Sequence, residues 1–81
     1  NDGNSADFAT RVNKWGLVAE SDVRRALPQL RELVAERPND AAARAQLGIA
    51  LIRAGQPRAA QAELEKAAAL TPPTSAGSAQ V

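Results

Sequence analysis

Cysteine, histidine and tyrosine are all missing from this 81-residue chain. Without cysteine there is no disulfide framework and no thiolate metal site. Without histidine the commonest general base and the commonest metal ligand are gone. The aromatic residues are Phe8 and Trp15 alone, so there is no row of rings on which bases could stack. Neither sign of charge dominates: ten basic and nine acidic side chains leave a net charge of +1 and interleave along the chain. That leaves no basic stripe to meet a phosphate backbone, and nucleic-acid binding is not expected. No apolar run approaches the ~18–20 residues a membrane span needs, so membrane insertion is not expected. No signal peptide is visible, and the first residue is Asn1 rather than methionine, which reads as a processed or excised piece. A cysteine-free chain fits the cytoplasm, the periplasm or an exported protein equally well, so localisation stays open.

What is present is alanine, leucine, arginine and glutamate at helical spacing. Residues 1–5 are polar and are expected to be disordered. From Ala6 to about Ala19, Phe8, Val12, Trp15 and Ala19 mark one helix face, with Gly16 in the same stripe, Ser5 as the N-cap candidate and Asp7 in the first turn. Ser21 is the candidate cap of a second helix, along which Val23, Ala26, Leu27, Leu30, Leu33 and Val34 keep the spacing until Pro38 ends it. Pro28 either kinks this helix or starts it, and the repeat register below favours the kink. A third helix is capped by Asn39 or Asp40 and ends at Gly55. A fourth runs from near Pro57 to Pro72, with Glu63–Lys66 and Gln61–Glu65 pairs on its wet face. Residues 73–81 are rich in Pro, Ser and Gly and are expected to form a disordered tail. No period-2 alternation of β-branched residues competes. The fold class is therefore all-α: one domain over residues 6–72 made of two antiparallel helix-turn-helix pairs.

The pairs repeat. Displacing the chain by about 34 residues lays Arg58 on Arg24, Ala60 on Ala26, Leu64 on Leu30, Ala67 on Leu33 and Pro72 on Pro38, with no gap. Leu47-Gly48 in mid-helix, Leu51 one turn later, Ala60, Leu64, Ala67 and a closing Pro72 together resemble a tetratricopeptide repeat. The large aromatic that the pattern has early in its first helix is Arg44 here, and its tyrosine is Leu51. A slightly shorter displacement lays Trp15-Gly16 on Leu47-Gly48 and Val12 on Arg44, which reads as a degenerate repeat ahead of a good one. The resemblance implies a right-handed superhelical fragment of four helices. Gly48 and Ala60 would let two helix backbones close on each other.

The chemistry on offer is thin. Asp22, Glu32, Glu36, Glu63 and Glu65 lie on polar helix faces, and Glu32/Glu36 reads as a solvated i,i+4 pair before it reads as an acid–base couple. No catalytic residue, metal site or cofactor is expected. The resemblance implies a groove lined by the inner faces of the first helix of each pair, here Ala42, Ala45, Gln46, Ile49, Ile52 and Arg53, with Trp15 and Leu17 as additional contacts. Some family members clamp a partner's terminal carboxylate there with Lys, Arg and Asn; these residues are mostly Ala and Ile, so no such clamp is expected. The plainer reading gives Ile49 and Ile52 to packing on the first helix, and Trp15 to the core. On the last helix Ala59, Ala62, Ala69 and Leu70 have no successor to cover them. The expected function is a non-catalytic protein–protein interaction module, an adaptor or scaffold, taking a partner peptide or helix. The alternatives are a homodimerising module, or an accessory domain of a larger enzyme or secretion protein. The Ala/Arg-rich composition points to a GC-rich bacterial source.

Overall fold

The computed structural model describes the backbone of residues 2–70 and the side chains of residues 7–70. Four helices follow one another: α1 (Asp2–Ser21), α2 (Val23–Glu36), α3 (Ala41–Arg53) and α4 (Pro57–Leu70). Among the described residues there is no strand. α1 packs on α2 and α3, α3 packs on α2 and α4, and α4 packs on α3 alone. α3 is thus the hub, and the order matches two stacked helix pairs. The expected tail at 73–81 and the stop at Pro72 lie outside the described residues.

Each helix starts and stops for a local reason. Asp22 is the whole connection between α1 and α2; its Oδ1 accepts the Arg25 backbone N–H at 3.2 Å. Ser21, the cap expected from sequence, instead closes α1, where its hydroxyl donates to the Val18 carbonyl at 3.4 Å. α1 also begins at Asp2, so Ser5 lies inside the helix and does not cap it. Of the two candidates for α3, Asp40 is the cap, accepting from Ala43 N–H at 2.8 Å. α3 ends in a Schellman turn: Gln56 N–H donates to Leu51 O at 2.8 Å and Gly55 N–H to Ile52 O at 3.0 Å. That turn needs a left-handed residue, and Gly55 has φ of 80°. Pro57 then opens α4, where a missing N–H costs nothing. Pro28 lies inside α2, as the register required, and deprives the Arg24 carbonyl of its helical donor.

One buried cluster joins all four helices: Phe8, Val12 and Ala19 of α1, Ala26, Leu30 and Leu33 of α2, Ala43, Leu47, Ala50 and Leu51 of α3, and Ala60 of α4. The bulkiest fully buried side chains are Leu30, Leu33, Leu51 and Val12, each worth about 1.5–3 kcal/mol on transfer from water. Five alanines and Val12 make more than half of the cluster smaller than leucine, so helix proximity matters more than bulk. Gly48 shows why. A Cβ on it would lie 2.7 Å from Cγ and Cδ2 of Leu64 and 3.4 Å from the Ala60 carbonyl. The bare backbone of α3 therefore seats Leu64 of α4, as the Leu47-Gly48 and Ala60 pattern implied. Gly16 is not its counterpart in the first pair. It faces the Gln46 side chain of α3, so the Trp15-Gly16 over Leu47-Gly48 equivalence fails at the level of contacts.

Candidate functional site

α3 buries one face among its three neighbours and leaves the other to solvent. Ala43, Leu47, Gly48, Ala50 and Leu51 point inward. The face predicted from sequence is the wet one: Ala42, Ile49, Ile52 and Arg53 are exposed, and Ala45 and Gln46 are half-buried. Ile49 is 42% exposed and Ile52 55% exposed, so neither is used up in packing on α1. Leu17 of α1 is 65% exposed. Three large aliphatic side chains on the first helices of the two pairs thus have no described cover.

These residues do not share one hollow. Gln46 meets Leu17 in a groove between α1 and α3 of about 340 Å³, lined also by Asn13, Gly16 and Glu20. Gly16 lies beside the Gln46 carboxamide in this groove: a Cβ there would come within 2.8 Å of Gln46 Cδ, and the flexible end of that side chain would have to shift. Trp15 is elsewhere. It is half-buried against the core, with Lys14 Nζ 5.1 Å from its ring centre, and it lines a separate hollow with Val18, Ser21, Asp22 and Arg25. It is therefore no neighbour of Gln46 within a groove.

Ile52 belongs to a second groove, of about 480 Å³, formed with Pro57, Ala60, Gln61, Leu64, Glu65 and Ala68 of α4. Its walls are mostly aliphatic. This is a further uncovered apolar surface of the last pair, beside the exposed residues of α4 named from sequence. Ala59, Ala62, Ala69 and Leu70 are all exposed on α4, and Ala69 and Leu70 line a different hollow beside Pro38 and Arg44. Ile49 lines neither groove but is exposed on α3 one turn from both Gln46 and Ile52.

Sequence reasoning passed over Asn13, Gly16 and Glu20 as groove residues, although with Leu17 they recur at three- and four-residue spacing and so share one face of α1. It also passed over Gln61, Leu64, Glu65 and Ala68, which form the matching stripe on α4.

Among the described residues, two ion pairs tie the helices together. Arg44, at the position where the repeat pattern has an aromatic, donates from Nη1 to Glu63 Oε1 at 2.8 Å and from Nε to the Pro38 carbonyl at 2.6 Å. Glu63 is thereby drawn away from the Lys66 pairing expected on α4, whereas Gln61 Nε2 does donate to Glu65 Oε2 at 3.0 Å. Arg11 of α1 makes a two-pronged pair with Glu36 of α2, at 3.0 and 2.7 Å. Those hydrogen bonds, with the guanidinium charge behind them, hold the Glu36 carboxyl below its ordinary value and raise Arg11. Among the described residues no group of three His, Cys, Asp or Glu could hold a metal ion. No described helix is long and apolar enough to cross a membrane.

Compared with known proteins, residues 17–79 match a family model described as tetratricopeptide repeat. Comparisons with curated proteins and with solved structures return no match.

Proposed function

The chain belongs to the tetratricopeptide repeat family, and from that premise we propose that it is a non-catalytic interaction module that holds a partner protein on the inner face of α1 and α3. Repeats of this family generally mediate protein–protein interaction. The observation that carries the reading is the exposure of Leu17, Ile49 and Ile52. Scattered exposed aliphatics are ordinary, but Leu17 and Ile52 each line a groove and Ile49 lies one turn from Ile52 on α3, a grouping that supports an interaction surface. Gln46 and Arg53 supply polar contacts at its edges, and Ala42 and Ala45 keep it shallow enough for a partner's backbone to approach.

The test is affinity capture with the intact chain and with an Ile49→Glu/Ile52→Glu variant of unchanged helicity. A protein bound by the first and lost from the second, then confirmed by titration of the purified pair, supports the reading. Retention of every captured protein by the variant contradicts it.

The groove of Ile52, Leu64 and Ala68 favours a second reading, self-association through the end of the helix stack. Sedimentation would then show mass rising with concentration and Ala68→Glu, at an exposed position of the groove, abolishing the rise; a strict monomer at high concentration excludes it.

A further inference from the structure

Two hollows lie on different helix pairs and share no residue. One is the end groove of α3 and α4, whose single charged lining residue is Glu65. Glu65 takes a hydrogen bond from Gln61, a neutral partner that leaves its charge uncompensated. The other, of about 470 Å³, is formed by α1 and α2 around Trp15 and Val18 and carries Lys14 and Arg25. Neither cation pairs with a carboxylate among the described residues. Asp22 also lines it, but its carboxylate is engaged as the cap of α2, accepting the Arg25 backbone N–H. One hollow is thus part apolar and cationic, the other apolar and anionic. α4 touches neither α1 nor α2, so the two can be engaged at once.

The internal repeat bears on both surfaces. The displacement that lays Ala60 on Ala26 and Leu64 on Leu30 also lays Ala68 on Val34. In α2, which packs on α3, Ala26 and Leu30 are buried and Val34 is half-buried. In α4, Leu64 is half-buried and Ala68 is exposed. The shorter displacement fails for the contacts of Gly16, yet it lays Trp15 and Val18 on Leu47 and Ala50. Those two are buried in α3, the helix that packs on the first pair, whereas Trp15 and Val18 are half-buried. The molecule covers between its two pairs the kinds of surface that it leaves open on α1 and α4.

Resting on the reading of the end groove as a self-association surface, we infer that its counterpart is a different patch: the end groove of one copy seats on the Trp15 hollow of the next, with Glu65 facing Lys14 and Arg25. Two end grooves set against each other would offer Glu65 no cation, which disfavours twofold pairing. A contact between unlike patches leaves one of each open in every pair, so copies add head to tail. Leu17 and Ile49 line neither hollow and stay free on each copy for a partner protein.

Trp15 is the single tryptophan of the chain, so its emission reports on this hollow. For the wild type, sedimentation mass should rise past the dimer with concentration, and the emission should move to the blue in step. Ala68→Glu blocks the groove, and Lys14→Glu/Arg25→Glu blocks the hollow by charge; all three positions are exposed, and circular dichroism checks that helicity is kept. At a concentration where the wild type assembles, each variant alone should be monomeric. Mixed in equal amounts, the two should form a dimer and nothing larger, because each retains the face that the other has lost. Glu65→Lys should weaken association about two- to fivefold at low salt. A wild type that stops at the dimer, with Lys14→Glu/Arg25→Glu associating as it does, would leave self-association standing and overturn the head-to-tail contact. Blocked variants that stay monomeric when mixed would overturn it too. A strict monomer, even one that holds a different protein through Ala68, would overturn both this contact and the self-association reading. The interaction-module reading, tested through Leu17 and Ile49, stands apart from all of these outcomes.

Discussion

Arg44 of α3 and Glu63 of α4 are bound to each other at 2.8 Å with their side chains only 15% and 19% exposed. An ion pair thus stands where the repeat pattern has an aromatic ring. It ties the two helices of the second pair and, through the Pro38 carbonyl, the loop ahead of them. Removing one partner strands a poorly hydrated charge. Glu63→Ala is expected to cost about 1–3 kcal/mol, read from denaturant melts. Replacing both with apolar groups, as in Arg44→Phe/Glu63→Leu, should recover most of that loss. A double variant as unstable as the single one would show that the pair's value is not simply charge compensation.

Gly48 and Leu64 set the distance between α3 and α4. Gly48→Leu should overpack the interface by about 1–3 kcal/mol. A Gly48→Leu/Leu64→Ala double variant should regain part of it, since the added side chain takes the space Leu64 gives up. Thermal melts decide. No loss for the single variant would mean that the helices are free to separate.

Pro28 sits beyond the first turn of α2 and is exposed. Alanine there would restore the bond to the Arg24 carbonyl, and a helix-interior proline is disfavoured by about 3 kcal/mol against alanine. Part of this is offset because proline also restrains the unfolded chain, by about 0.4–1 kcal/mol. Pro28→Ala is therefore expected to stabilise by about 2–2.6 kcal/mol, seen as a raised denaturation midpoint. A lowered midpoint would show that α2 needs its bend.

The Arg11–Glu36 pair gives a direction in pH. Its hydrogen bonds lower the Glu36 carboxyl in the folded state. The unfolded chain therefore takes up the proton first as pH falls. The contribution is complete above the ordinary glutamate value of about 4.3 and is lost as pH drops from there through the lowered folded value. Both side chains are 46% exposed, so the effect is small and should shrink with salt. Comparing wild type and Glu36→Gln in melts across this range should show a shallower acid decline for the variant. A steeper decline would contradict the assignment.

The good repeat was legible because its signals are local. Gly55 after the last periodic residue, Asp40 ahead of the first, and Gly48 opposite Ala60 each specify a backbone event within one helix pair. The first pair was less so. Spacing tells which residues of α1 share a face but not which helix meets that face, and Gly16, aligned with Gly48 in the repeat register, lies beside Gln46 of α3. Ser21 and Asp22 are equally good caps in isolation; the choice fell to Asp22 because a one-residue connection leaves Ser21 inside α1. The candidate surface was legible in its α3 residues and illegible in its division. Ile52 and Gln46 are on one exposed stripe, yet α4 claims the first for the end groove and α1 the second. Glu63 paired across the interface for a similar reason: its i,i+3 neighbour is visible in sequence, and Arg44 is not.

The central claim is that the wet face of α1 and α3 is where a partner protein is held. Its most direct test is the binding isotherm of a purified partner with wild-type chain, Leu17→Glu and Ile49→Glu, each checked for an unchanged melt. The account predicts a loss of about tenfold or more for Ile49→Glu, some 1.4 kcal/mol, and a measurable loss for Leu17→Glu. Isotherms that superimpose on wild type for both variants would contradict it.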